Sequence, residues 1–235
     1  MEKMNQMFRY DAKDVMEQFQ VGRDGLSTEQ VEQQRRIYGD NMLSEEQKKS
    51  VVQVFLEQFK DLLVIILMIT AVISAVTGNA ESTLVILAVI ILNAILGTWQ
   101  HFKAEKSLES LKAMSAPNAK VMRNGLKMEV PARDIVPGDI LLLEAGDLVA
   151  ADGRIIDNFS LQVNESSLTG ESEGVNKIAE VIDAENVALG DQKNMVFSGS
   201  LVTYGRANVV VTSTGMNTEI GKIAALMNQT QQKKT

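Results

Sequence analysis

Two apolar stretches decide the fold: LLVIILMITAVISAVTG at residues 62–78 and STLVILAVIILNAILGTW at residues 82–99. Neither contains a charged side chain, and the short turn between them holds Asn79 and Glu81. A helix of roughly 17 to 25 apolar residues crosses a lipid bilayer. Each stretch is near the lower limit, but the first is extended backward by an amphipathic approach and the second ends in Trp99, a residue type enriched at membrane interfaces. The pattern predicts a transmembrane helical hairpin.

Lysines flank the hairpin on both sides and are absent from its turn. Lys48, Lys49 and Lys60 precede the first crossing, and Lys103 and Lys106 follow the second. Because cytoplasmic flanks carry the excess of Lys and Arg, we expect a multi-pass membrane protein with both ends of this chain in the cytoplasm. A buried hairpin in a soluble helical protein is the alternative, but such helices usually show a polar face and these show none.

Polar residues in and beside the hairpin give weaker signals. Asn93 lies inside the second crossing, where an amide more often bonds to a neighbouring helix than to an ion. Glu57 and Lys60 lie at the cytoplasmic edge, where a solvated role is the default. The sequence assigns none of the three a function.

The hairpin divides the chain into four predicted segments: residues 1–50, 51–115, 116–227 and 228–235. In the first segment, Ser27 and Gln30 have the spacing of a capping box, and Gly39 is typical of the end of a helix. The pattern predicts a short helix between them. The second begins with the amphipathic approach at Val51, contains the hairpin, and continues as a cytoplasmic stalk that ends at Pro117.

The third segment has short β-type runs separated by turn signals. These are Asn124-Gly125, Pro137-Gly138-Asp139, Gly146-Asp147 and Asp152-Gly153. Strands are predicted at 195–202 and 207–214, followed by a helix from about Thr218 to Met227 capped by Asn217 or Thr218. The last eight residues read as a polar tail or linker. The prediction is an α+β membrane protein with a mostly-β cytoplasmic domain and N-terminal helices.

Composition excludes several classes of site. The net charge of −7 argues against nucleic acid as a partner. The absence of cysteine and the single histidine, His101, exclude thiolate and His-rich metal centres. A possible nucleotide loop at Gly215–Lys222 fails because Ile223 stands where a P-loop needs Ser or Thr. We therefore expect no metal ligand and no cofactor-binding residue in this chain.

One polar loop remains, Val163-Asn-Glu-Ser-Ser-Leu-Thr-Gly-Glu-Ser172. Alone, it could be an ordinary turn. Three further motifs accompany it in order: Ile135-Val-Pro-Gly-Asp139, Ala151-Asp-Gly-Arg154 and Thr214-Gly-Met-Asn-Thr-Glu-Ile-Gly-Lys222. With the preceding hairpin, they resemble the first two membrane helices and the actuator domain of P-type cation-transporting ATPases over essentially the whole chain. The stretches 57–63 and 93–100 are most similar to calcium pumps.

The resemblance implies a distorted jelly-roll-like actuator domain and a catalytic role for its loop. Such pumps transfer the ATP phosphoryl group to an aspartate and then hydrolyse the acyl phosphate, so a carboxylate must position water. The resemblance assigns this role to Glu171 and loop support to Thr169, Gly170 and Ser172. It also implies ATP and Mg as cofactors of the whole pump, bound outside this chain.

The implied partners are the phosphorylation and nucleotide-binding domains, the remaining membrane helices and the lipid bilayer. Since the phosphorylated aspartate is expected on other sequence, the isolated chain should neither hydrolyse ATP nor pump. Two alternatives stay open at this point. One is a free-standing, membrane-tethered β-domain that binds or regulates a partner, and the other is a pump for a different cation.

Overall fold

The computed structural model describes residues 2–43, 50–114, 118–170 and 173–232. The chain divides into two compact units. One unit joins Met1–Ser44 to Ala116–Thr235, and the other is the continuous segment Glu45–Ser115. The N-terminal helices and the β-rich segment therefore belong to the same unit.

The N-terminal part of the first unit is helical. It contains a 3₁₀ segment at Glu2–Arg9, helix α1 at Ala12–Gln18 and helix α2 at Thr28–Tyr38. The predicted capping box of α2 is confirmed, since the Ser27 hydroxyl accepts from the Gln30 backbone N–H while the Gln30 side chain accepts from the Ser27 N–H. Gly39, at φ +76°, ends the helix as the sequence predicts.

The second unit is a set of three helices. They are α3 at Val51–Gln58, α4 at Leu62–Val76 and α5 at Ala80–Met114. Between α3 and α4 the chain bends by 65°. Asp61 accounts for the new start, because its carboxylate accepts from the Leu63 N–H and caps α4. The predicted helical continuation beyond Trp99 is confirmed by the length of α5.

Helix α5 has the membrane-spanning character expected from its sequence. Within the described residues, Ala80–Ser107 is the one helix that is long and apolar enough to cross a bilayer, with a mean hydropathy of 2.1. Helices α3 and α4 provide a second span only if the bent pair is counted as one. Among the helices described, the structure thus supports one clear span.

Small side chains bring α4 and α5 together. The buried residues of the pair include Ala71 on α4 and Ala94 on α5, which permit close backbone approach. A side chain at Gly97 would collide with the Gln58 amide, so α3 also approaches α5 closely. On α3, Val54 is buried, while Val52 and Leu56 are exposed. Much of the apolar surface of this helix is therefore uncovered within the unit.

The β-rich part of the first unit is one antiparallel sheet. Its strands are β1 (Asn118–Arg123), β2 (Leu126–Pro131), β3 (Ile140–Glu144), β4 (Asp152–Asn164), β5 (Gly174–Asn176), β6 (Met195–Val196) and β7 (Leu201–Ser213). Their spatial order is β2-β1-β3-β7-β4-β5, with β6 paired to β4. A helical turn, α6 at Ser166–Thr169, follows β4, and helix α7 spans Glu219–Gln232.

Two long strands form the centre of the sheet. β4 and β7 pair along almost their whole length, with register shifts such as that between Phe159 and Gln162. The strand predicted at 195–202 is wrong as a single element, since Gly199 at φ +83° turns the chain between β6 and β7. Thr218, one of the two predicted caps, does cap α7, because its hydroxyl accepts from the Gly221 N–H.

Apolar side chains pack on both faces of the sheet. One cluster is formed by strand residues such as Leu141, Leu161 and Val209. The other joins the sheet to the N-terminal helical segment through Met7, Phe8 and their neighbours. Burial on both faces explains why β4 and β7 show little alternation between polar and apolar residues.

Candidate functional site

The candidate loop connects β4 to the edge strand β5. The two strands pair in antiparallel register, with Asn164 opposite Gly174 at the end of the hairpin where the loop begins and ends. Gln162 strengthens the pairing by donating from its amide to the Asn176 side-chain oxygen at 2.7 Å. The loop therefore projects from the end of a hydrogen-bonded hairpin at the edge of the sheet.

The first half of the loop is the helical turn α6. The Asn164 side chain accepts from the Ser166 N–H at 2.9 Å and starts the turn. The Glu165 carbonyl accepts from the N–H groups of Leu168 and Thr169 and from the Thr169 hydroxyl at 3.2 Å. These bonds hold Thr169 in place from within the loop.

Gly170 ends the turn in the left-handed conformation, at φ +77°. It is exposed, and a Cβ there would meet no described atom within 4 Å. Glycine suits this position, because it adopts the left-handed backbone without the steric cost of a side chain. Glu171 and Ser172, the other two residues predicted for the site, lie outside the described residues.

Apolar contacts hold the turn against the body of the domain. Leu168 packs against the cluster that joins the sheet to the N-terminal segment, and so does Leu189. The methyl group of Thr169 lies so close to Gly190 that a Cβ on that glycine would be 3.3 Å from it. The loop is therefore supported from beneath by the segment that precedes β6.

Sequence analysis missed a buried ion pair below this loop. The Glu165 carboxylate and the Lys177 ammonium are both fully buried and 2.5 Å apart. A signal was present, because Leu161 and Val163 alternate on the inward face of β4 and Glu165, the residue after the strand, continues that alternation. Burial raises the pKa of Glu165 and lowers that of Lys177, which opposes charge on either group alone.

The motif Ala151-Asp-Gly-Arg154 serves the fold. Asp152 accepts from the Ser198 N–H at 2.8 Å and from the Glu219 N–H, at the start of α7, at 2.7 Å. Burial raises its pKa to about 6. Arg154 is fully buried and donates to carbonyl groups that include those of Tyr10 and Ala179. This motif joins distant segments of the unit.

In the part of the chain that the structure describes, no group of three His, Asp or Glu residues could hold a metal ion. The aspartates of the turn signals form hydrogen bonds and ion pairs with protein groups, which accounts for their presence without a metal. Asp139, for example, pairs with Arg123 through two contacts of 2.6 and 2.8 Å and accepts from the Val136 N–H. The chemistry available at the candidate loop is that of side-chain carboxylates, hydroxyls and exposed backbone.

Two family models match the chain. The model described as P-type ATPase actuator domain matches residues 113–228, and the model described as cation transporter/ATPase, N-terminus, matches residues 8–74. The first covers the whole sheet and the candidate loop. The second covers the N-terminal helices, the approach helix and most of α4.

Calcium-transporting ATPases are among the relatives of this chain. One from Listeria monocytogenes and one from Lactococcus lactis are each 46% identical over 230 residues, which is 98% of this chain and 26% of the relative. An Arabidopsis thaliana calcium-transporting ATPase of the endoplasmic reticulum type is 42% identical over 94% of this chain and 22% of its own length. The chain thus spans about a quarter of the relatives it matches.

The N-terminal match, the actuator match and the near-complete coverage by these relatives agree in order along the sequence. The antiparallel sheet with its edge loop lies where the actuator match is found. This chain belongs to the P-type cation-transporting ATPases, and it forms their N-terminal region and actuator domain.

Proposed function

We propose that this chain is the actuator domain and first membrane hairpin of a pump that moves calcium across a membrane, and that Glu171 directs water onto the phosphorylated aspartate of that pump. The observation that carries the proposal is the loop Thr169-Gly170-Glu171-Ser172 at the end of the β4–β5 hairpin. The names of the relatives support calcium as the transported ion.

The chemistry assigned to Glu171 is the hydrolysis of an acyl phosphate. Water attacks phosphorus, the bond between phosphorus and the aspartate oxygen breaks, and the aspartate leaves as a carboxylate. A carboxylate beside the water orients it in line and accepts its proton. Thr169 and Gly170 support this role by holding the start of the loop, and we assign Ser172 a similar supporting role.

The other half of the reaction belongs to sequence outside this chain. The phosphorylated aspartate and the ATP and Mg sites are assigned to the phosphorylation and nucleotide-binding domains of the complete pump. The actuator domain would act by moving as a body onto the phosphorylated domain, and its connections to the membrane helices would transmit that movement to the ion path.

The test is phosphoenzyme breakdown in the full-length pump. Glu171→Gln should allow phosphorylation from ATP but block hydrolysis, so labelled phosphoenzyme should persist after a chase with unlabelled ATP. Glu173→Gln is the matched control, since Glu173 is an exposed carboxylate two positions away. Normal decay in Glu171→Gln would remove the proposed role, and slow decay in both variants would show that the effect is not specific.

Transport is tested separately in sealed membrane vesicles. ATP should drive uptake of radioactive calcium, and the Glu171→Gln variant should show none. Uptake of another cation in place of calcium would leave the catalytic proposal intact and change the transported ion.

The proposed topology has crossings at about 62–78 and 82–99 and both ends of the chain in the cytoplasm. Divisions near residues 50, 115 and 227 follow from it, with 228–235 as a linker. Because the chain has no cysteine, single cysteines can report sidedness. Asn79→Cys should react with an impermeant maleimide from the side opposite to the cytoplasm, and Lys103→Cys only from the cytoplasm. Labelling of both from one side would refute the hairpin.

A further inference from the structure

The buried ion pair below the candidate loop joins the first residue of that loop to the residue that follows β5. Glu165 directly follows β4, and Lys177 directly follows β5. Their side chains have no exposed surface, and the carboxylate oxygen and the ammonium nitrogen are 2.5 Å apart. Among the described residues no third group forms a hydrogen bond to either charged end. Each end therefore depends on the other for its only polar partner.

The backbone of Lys177 is held independently of the ion pair. The Lys177 N–H donates to the Leu161 carbonyl at 2.9 Å, and the Lys177 carbonyl accepts from the Asn158 amide. The Lys177 ammonium also lies 5.5 Å from the centre of the Phe197 ring. Lys177 is thus anchored to the body of the sheet, and the ion pair fixes the position of Glu165 relative to it.

The position of Glu165 sets the geometry of the turn that carries Thr169. Three hydrogen bonds within α6 end on the Glu165 carbonyl, two from Thr169 itself. Gly170 follows with its left-handed backbone, and Glu171 is the next residue in the chain. A shift of Glu165 away from Lys177 would therefore move the start of the whole loop.

Stability alone does not account for a pair of this kind. Burying two charges carries a desolvation penalty that can equal or exceed their mutual attraction, and apolar residues of similar size often support a fold equally well. What an ion pair adds is a requirement for one relative position, because a misplaced partner would leave a charge buried without compensation. The feature that this requirement controls here is the position of Glu165, at the start of the loop, relative to the β4–β5 hairpin.

We propose that Glu165 and Lys177 are positioning residues that hold the turn Ser166–Gly170, which precedes Glu171, in the geometry needed for hydrolysis of the phosphoenzyme. The inference rests on the proposed function of Glu171. It assigns the pair no contact with the reacting atoms. The domain should also fold without the pair if apolar side chains fill the space.

The test replaces the pair in the full-length pump with Glu165→Leu and Lys177→Met together. The double variant should fold, with an unfolding midpoint equal to or above that of the unchanged protein, and should form phosphoenzyme from ATP to the normal level. Its phosphoenzyme should decay about 10-fold to 100-fold more slowly, because a small displacement of a catalytic group has effects of that size. Unchanged stability with slow decay is the combination that a merely structural role would not give.

Two parallel variants complete the design. Lys120→Gln with Glu144→Gln removes an exposed ion pair of the same domain and should leave the decay rate unchanged. Glu171→Gln tests the catalytic proposal itself. Slow decay in Glu171→Gln with normal decay in the apolar double variant would overturn the positioning role and leave the function of Glu171 standing.

The remaining outcomes are equally decisive. If the apolar double variant does not fold, the pair serves the stability of the domain and the proposal is overturned. If the exposed-pair control also decays slowly, the effect does not depend on the loop and the proposal is again overturned. Normal decay in Glu171→Gln would refute the proposed function on which the inference rests.

Discussion

Replacing Gly170 with alanine should weaken the domain slightly and slow phosphoenzyme breakdown much more. The residue has φ +77°, and no described atom lies within 4 Å of the position that a Cβ would take. The penalty is therefore that of the backbone alone, about 1 to 2 kcal/mol for a side chain in the left-handed region. Alanine also restricts the unfolded chain, which offsets about 0.4 to 1 kcal/mol. The expected net loss is about 1 kcal/mol.

Urea unfolding monitored by pulse proteolysis measures this loss. The chain is incubated in detergent with increasing urea, and a brief protease treatment removes the unfolded fraction. With a denaturant dependence of about 2 kcal/mol per molar urea, a loss of about 1 kcal/mol lowers the midpoint by about 0.5 M. Gly146→Ala is the matched control, since Gly146 has φ +96° and equally open surroundings. Both variants should lose a similar amount of stability.

Only the Gly170 variant should alter the pump reaction. In the full-length protein, Gly170→Ala should slow phosphoenzyme decay while Gly146→Ala leaves it unchanged, because Gly146 lies in the turn before β4 and far along the chain from the loop. A stability loss well above that of Gly146→Ala would mean that the surroundings of Gly170 are not open. Equal decay rates in the two glycine variants would refute the link between loop geometry and hydrolysis.

Two further predictions concern buried polar residues of the β-rich unit. The pKa of Asp152 is raised from 3.8 to about 6, chiefly by burial, so between about pH 4 and pH 6 the folded state retains a proton that the unfolded state has lost. The contribution of Asp152 to the free energy of unfolding should therefore fall by about 3 kcal/mol as pH rises through this range. Urea unfolding at several pH values measures this decrease, and the decrease should be absent in Asp152→Asn. Arg154→Met should lower the free energy of unfolding by about 3 kcal/mol, because the Tyr10 and Ala179 carbonyls lose a buried donor. A loss below about 1 kcal/mol in that variant, measured by the same unfolding assay, would show that those carbonyls find other partners.

Local sequence chemistry predicted the elements whose causes lie within a few residues. The capping box of Ser27 and Gln30 and the helical stop at Gly39 are confirmed. The Asn124-Gly125 turn is also confirmed, with both residues at positive φ between β1 and β2. These features could be read directly because every interacting group lies within one turn of chain.

Predictions that depended on distant partners were less complete. The run 195–202 has the composition of one strand, but it divides at Gly199, where the chain turns so that β6 and β7 pair with Gly153 and Arg154 from the two edges of β4. On α3, Val54 is buried and Val52 is exposed, because the direction from which α5 approaches decides which face of α3 is covered. Periodicity indicates that a helix has an apolar face, but not what will cover it.

The sequence alone was enough to identify the loop that indicates the family. Thr169-Gly170-Glu171-Ser172, in order with the three other motifs and the apolar stretches, was sufficient to predict an actuator domain of a P-type ATPase. The left-handed conformation of Gly170 follows from the same local chemistry. Roles that depend on residue type and immediate neighbours can be predicted without a fold.

The support beneath that loop was decided only by tertiary structure. Glu165 and Lys177 are ordinary charged residues in the sequence, and alternation along β4 indicates only which face the glutamate occupies. Their contact exists because β5 folds back beside β4, so that Lys177, which follows β5, meets Glu165, which follows β4, in the interior. Burial changes both the pKa and the energetic consequence of a charged group, and burial is a property of the folded chain.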